Sequence, residues 1–180
     1  TTNHQFHPKL VLKDVASVSC GHQHTMFLKK DGKLYACGDN TSYGQLGNGN
    51  TTDLNVPTHV YDNVKQVECG DIHTMILTTA GEIYGCGYNG NGQLARGNTT
   101  NATSGFVKAT TGDHVIKKIS VGYRQGFYIT EDNKVYAFGY NGHSELGLGD
   151  TNQRTTPTEV TTLPADEKVV DIKQGRNHTL

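Results

Sequence analysis

The sequence predicts an all-β chain of β-propeller blades, each of four antiparallel strands, about three and a half of them in 180 residues. Three observations carry that expectation. Two unrelated motifs recur in phase, once per roughly 50 residues. Between them lie short runs in which apolar residues alternate, the period of a strand with one face buried. Glycine is abundant, 22 of 180 with only 4 prolines, and Thr and Asn are frequent, a composition of tight turns and strands rather than helices.

The first motif is Cys20-Gly21-His22-Gln23-His24-Thr25-Met26-Phe27-Leu28, which returns as Cys69-Gly70-Asp71-Ile72-His73-Thr74-Met75-Ile76-Leu77. A looser copy runs from Val121 to Ile129 and a shortened one from Gln174 to Leu180, so the motif glycines are spaced 49, 52 and 53 residues apart. The second motif is Leu34-Tyr35-Ala36-Cys37-Gly38-Asp39-Asn40 followed by Gly44-Gln45-Leu46-Gly47. Its further copies begin at Ile83 and Val135.

In chain order, strands are expected over 64–69 and 115–121, then over 24–29, 73–78 and 126–130. Asp31-Gly32, Ala80-Gly81 and Asp132-Asn133 follow as hairpin turns, Asp-Gly being favoured in two-residue turns because it tolerates positive φ. Returning strands are expected over 33–37, 82–86 and 134–138. After a Gly/Asn-rich loop comes an outer strand near 56–61, 106–108 and 158–161, where Pro57 and Pro157 suit an edge without a partner for the missing N–H. Four strands per repeat is the pattern of a propeller blade.

These segments resemble the regulator of chromosome condensation repeat family. The Gly-x-x-His-Thr segments at 21–25, 70–74 and 175–179, the Tyr-x-x-Gly segments and the Asn…Gly-Gln-Leu-Gly loops carry the resemblance, which covers about 9 to 180. It implies a seven-bladed propeller, with repeats here near 9–56, 57–107, 108–157 and a truncated 158–180. Departures are Gly126 read at the His position, Cys37, Cys86 and Phe138 where the family often has Trp, Ala95 for a loop glycine, and Ser144-Glu145 for Gly-Gln. Seven such repeats need roughly 360 residues, so the chain is expected to be a fragment of a longer protein.

Composition excludes several classes of function. With Lys+Arg 16 against Asp+Glu 17 the net charge is −1, so nucleic acid is not an expected partner of this segment. No apolar run approaches the roughly 20 residues of a membrane span. The four cysteines lack the close pairing of a zinc site and read as structural free thiols, which favour a reducing compartment and an intracellular, cytoplasmic or nuclear location. His22 and His24, two apart, would share a strand face, but no third ligand has matching spacing. The repeated His-Thr is instead expected to bond backbone within its own blade. The glycine-rich loops 38–49 and 87–97 lack the Lys-Ser/Thr and following helix of a phosphate loop. Asn40, Asn50, Asn98, Asn101 and Asn177 begin glycosylation sequons, matches that arise readily by chance in a Thr/Asn-rich chain.

No catalytic residue, cofactor site or metal site is nominated. The expected function is a non-enzymatic protein-interaction scaffold, part of a larger regulatory protein, with function residing in loops that differ between blades. The candidate contact residues are Asn48, Asn50, Asp53, Asn98, Asn101, Asp150, Asn152 and Arg154. The resemblance implies two alternatives: nucleotide exchange on a Ran-like small GTPase, and a secreted inhibitor like the β-lactamase-inhibiting propeller. An ultraviolet-B receptor role, which depends on Trp clusters, is disfavoured because Trp is absent.

Overall fold

The structure, a computed structural model, describes residues 10–164 and 168–180; residue 9 of the first expected repeat and 165–167 of the fourth lie outside them. Among the described residues twelve strands form three sheets. The first blade is β1 (Val15–Cys20), β2 (His24–Lys29), β3 (Leu34–Gly38) and β4 (Leu54–Tyr61). The second is β5 (Val64–Cys69), β6 (His73–Thr78), β7 (Ile83–Gly87) and β8 (Ala102–Lys108). The third is β9 (Ile116–Val121), β10 (Gln125–Thr130), β11 (Val135–Gly139) and β12 (Arg154–Glu159). Each is an antiparallel meander in sequence order. Residues 168–180 open a further unit, with Lys173 and Leu180 exchanging backbone hydrogen bonds at 2.9 Å. The architecture is therefore a partial propeller.

The central hairpins close differently from the two-residue turn expected. Lys29 N–H donates to Lys33 C=O and Gly32 N–H to Lys29 C=O, so three residues make the connection. Only the third has positive φ: Gly32 and Gly81 at 80° and Asn133 at 63°. This is a turn followed by a left-handed residue, the usual form of a three-residue hairpin loop.

The outer strands begin earlier than expected, at Leu54, Ala102 and Arg154. Each first rung pairs with the glycine ending the third strand (Gly38↔Leu54, Gly87↔Ala102, Gly139↔Arg154), separated from the main ladder by a register shift. The three starting residues share no chemistry, so their common role is set by the glycine opposite. The repeat boundaries read from sequence also cut differently from the sheets: 56/57 falls inside β4, whereas the sheets divide at 62–63 and 109–115.

The hydrophobic core lies between blades, not within them. Met26, Leu28, Leu34 and Leu46 of the first blade pack on Val64, Val67 and Ile76 of the second. Met75, Leu77, Ile83 and Leu94 pack on Ile116, Ile119, Tyr128 and Tyr136 of the third. Phe127, Ile129, Val135 and Leu146 pack on Val160 and Ile172. Hence β6 and β10 are buried at every residue, whereas β2 alternates because one face of the first blade is open. On that blade Val18 is 52% exposed.

In the first and second blades the long loop after the third strand rests on the outer strand of the next blade. A side chain at Gly44 or Gly47 would collide with Thr103 or Phe106, and one at Gly92 with Thr155. Gly97 N–H also donates to Thr155 C=O at 2.8 Å.

Candidate interaction face

In a meander, successive strands reverse direction, so the β1–β2 and β3–β4 connections emerge at the same end of every blade. Two sets of loops therefore share one face, the inner near the propeller axis and the outer at the rim.

The outer loops, with Arg154 at the start of β12, hold the residues expected to contact a partner, and every one of these side chains but that of Asn152 hydrogen-bonds within the same loop segment. The hub is a wholly buried asparagine, Asn40, Asn89 or Asn141. Asn40 Nδ2 donates to Asn48 Oδ1 (2.8 Å) and Asn50 C=O (2.7 Å), and Asp53 Oδ1 accepts from Asn40 N–H (2.8 Å). In the second blade Asn89 Nδ2 donates to Asn98 C=O and Asn101 Oδ1 accepts from Asn89 N–H. In the third, Asn141 Nδ2 donates to Asp150 and Asn152 C=O, while Arg154 Nη2 donates to Asp150 Oδ2 at 2.6 Å. Asn50, Asp53, Asn98 and Asn152 are exposed; Asn48, Asn101, Asp150 and Arg154 are half-buried. As sequons, Asn40 is inaccessible and Asn101 is occupied as a loop staple.

The inner loops are 21–23, 70–72, 122–124 and 175–177. All four close alike, with N–H of the glycine donating to C=O three residues on: His24, His73, Gln125 and His178. This equivalence corrects the sequence alignment. Gln125, not Gly126, occupies the histidine position, and Gly126 occupies that of Thr25 and Thr74.

The His-Thr pairs also bond between blades rather than within one. His24 Nε2 meets Thr74 Oγ1 at 2.9 Å, and Thr74 Oγ1 donates to Gln45 C=O at 2.8 Å. Thr179 Oγ1 repeats the latter contact with Glu145 C=O. The rung between the second and third blades is broken because Gly126 has no hydroxyl. Both ring nitrogens of the wholly buried His73 lack a partner. Burial lowers His24 to about 4 and His73 to about 3, which keeps both rings neutral. His22 precedes β2 and is exposed, so it does not share a strand face with His24.

All four thiols are free. Cys86 is buried, and Cys69 is pushed up to about 12, chiefly by burial. Such thiols are poor nucleophiles. Cys20, expected to be a packing residue, is exposed. Among the described residues no group of three or more His, Cys, Asp or Glu could hold a metal ion.

Sequence reasoning missed an aromatic–cationic cluster at the inner loops. Arg124 and Arg176 both lie over the Tyr123 ring, with Cζ 4.9 and 4.8 Å from its centroid. Arg124 also lies 5.7 Å from the centroid of the Tyr88 ring, which packs nearly perpendicular to Tyr43 with centroids 5.2 Å apart. The available signal was the two variable positions inside Gly-x-x-His: His-Gln, Asp-Ile, Tyr-Arg and Arg-Asn.

The Regulator of chromosome condensation (RCC1) repeat matches residues 31–77 and 132–180, and a second form of it matches 15–45, 64–93 and 116–145. The chain belongs to the RCC1-repeat family. Among curated relatives, this RCC1-repeat chain is 34% identical over 170 residues to the ultraviolet-B receptor UVR8 of Arabidopsis thaliana, covering 92% of the chain and 38% of the receptor. It is 34% identical over 149 residues to the human X-linked retinitis pigmentosa GTPase regulator, covering 80% of the chain and 14% of that protein. The chain thus spans well under half the length of these relatives. Yeast RCC1 (Prp20), solved bound to Kap60, superposes with a TM-score of 0.76 at 20% identity, over 96% of this chain and 42% of that one. Human WBSCR16 gives 0.75 at 22% identity, over 91% and 45%. These two likenesses establish the shared fold.

Proposed function

We propose that this RCC1-repeat segment is an interaction scaffold within a larger regulatory protein and performs no bond chemistry itself. The observation that carries the reading is the contrast between frame and face. Buried asparagine hubs, inner-loop glycines and interblade cores repeat, while the residues exposed on the common face differ from blade to blade. A rigid frame with variable loops is a binding architecture. Among the described residues no helix is long and apolar enough to cross a membrane.

Substituting Asn50, Thr51, Thr99, Thr100, Thr151 and Gln153, exposed loop residues that precede the outer strands, tests the reading by affinity capture. Loss of specific partners is expected; unchanged recovery rejects the outer loops as the contact surface.

Exchange on a small GTPase is the second reading. It draws on relatives: one is named a GTPase regulator, and a solved structure of yeast Prp20p was described with its binding to Gsp1p and histones. Exchange would work by preferential binding of the nucleotide-free GTPase. Release of labelled GDP from Ran, unaffected by excess protein, would exclude that activity for Ran.

A further inference from the structure

We propose that Arg124 and Arg176, at the axial end of the face, bind an acidic side chain of a protein partner. The inference rests on the scaffold reading and names the chemistry of one contact within it.

The two guanidinium groups are stacked, and among the described residues neither makes an ion pair shorter than 4.0 Å. Each lies over the Tyr123 ring at under 5 Å, a geometry that orients a planar guanidinium and leaves its edge donors free. The buried Arg124 Nε has no hydrogen-bond partner. Its Nη2 reaches only Tyr123 Oη at 3.5 Å and Asp71 Oδ2 at 4.0 Å. Arg176 makes no side-chain hydrogen bond or ion pair among the described residues. Arg154, by contrast, is held by Asp150 and by Asn152 C=O, both at 2.6 Å.

The backbone under both arginines is fixed by one side chain. Gln125, wholly buried, accepts from Arg124 N–H through Oε1 at 2.9 Å. Its Nε2 donates to Gly175 C=O at 3.1 Å and Arg176 C=O at 3.4 Å. At the same position His24 bonds only Thr74, and His73 bonds nothing. An amide carries acceptor and donors on one planar head, so the exchange of His for Gln ties two neighbouring loops together at this place.

Arg176 borders a shallow depression of about 350 Å³ lined by the inner loops, including His22, Asp71 and Tyr123, and Arg124 stacks on the same Tyr123 ring. The depression admits a side chain or two, not a folded domain. A carboxylate suits the forked donors. Asp71 on the neighbouring loop opposes a polyanion such as DNA, which favours a discrete acidic residue.

Fluorescence anisotropy with a labelled octapeptide of alternating Glu and Gly, at low salt, tests the proposal on the full chain. Saturable binding is expected, absent for the Gln-for-Glu peptide. Arg124→Gln with Arg176→Gln should weaken it by at least about tenfold. Arg176→Lys, which keeps charge and loses the planar fork, should weaken it by a smaller factor. Gln125→His, a residue already tolerated at this position, should lower affinity several-fold and broaden the Arg Nε–Hε resonances while the thermal midpoint is kept. No binding by the wild type, equal binding by the Gln variants, or tighter binding of inorganic pyrophosphate or a short DNA duplex would each overturn the proposal. Partners captured through the outer loops but lost in neither arginine variant would sink this inference and leave the scaffold reading standing.

Discussion

At position 126 the third blade has lost the hydroxyl that His24 finds in Thr74, and the loss is matched directly across the strand pair. Thr25 faces Cys37 and Thr74 faces Cys86, but Gly126 faces Phe138. A side chain at Gly126 would strike the Phe138 ring, so the larger residue occupies the volume the smaller one vacated. Gly126→Thr alone should cost about 1–3 kcal/mol by overpacking, and Phe138→Cys alone about 2–4 kcal/mol through the cavity it leaves. Combined, they should cost clearly less than the two together, because the pair becomes the Thr/Cys pair of the other blades and His73 regains a partner. A double-mutant cycle on urea midpoints reads the coupling; additive losses would refute it. The histidines make a second prediction at this scale. In the unfolded chain both titrate near 6.5, and in the folded one near 4 and 3. The unfolded state therefore binds more protons between these limits, and stability falls with acid. Their contribution is complete above pH 6.5 and falls by about 1.4 kcal/mol per histidine per pH unit below it, ending near pH 4 for His24 and pH 3 for His73. Urea midpoints between pH 7 and pH 4 should show the slope, and Gln at both positions should flatten it.

Strands and loops differ in how far their residues announce them. The second and third strands of each blade were legible because they carry the two recurring motifs, whose apolar residues face the interblade cores. The outer loops were legible as loops, though their Asn and Asp residues proved to be braces around a buried hub. Three features were hidden. Leu54, Ala102 and Arg154 start equivalent strands without sharing a residue type. Gln125 resembles neither histidine it replaces, which let the alignment slip by one. The Tyr–Arg cluster exists only where loops of successive blades meet. The Gly-to-Ser and Gly-to-Ala departures also looked like ordinary variation, yet Ser144 and Ala95 retain positive φ, 63° and 54°. Ser144 is exposed, so Ser144→Gly should relieve strain without opening a cavity and stabilise by about 0.5–1 kcal/mol after the entropy cost of glycine. A higher thermal midpoint is the expected readout; a lower one would show that the strain is relieved elsewhere.

Across the whole molecule the cores lie between sheets, so no blade is stable by virtue of its own interior. Stability in such arrays depends on nearest-neighbour interfaces. The docking of each outer loop is one-sided within that scheme: residues 44–47 rest on β8, and 92–97 on β12 and its start. Loosening the third blade with Ile129→Ala should therefore speed amide exchange at 92–97, whereas loosening the first with Met26→Ala should leave those amides protected relative to the rest of the second blade. Hydrogen exchange read by mass spectrometry separates the two cases, and equal acceleration would contradict the one-sided scheme. The arrangement has a meaning for synthesis as well. A chain emerging N-terminal end first completes the strands of a blade before it completes the seat for that blade's loop, which arrives some fifty residues later. Each blade leaves the ribosome with one arm unclasped, and its successor is what finishes it.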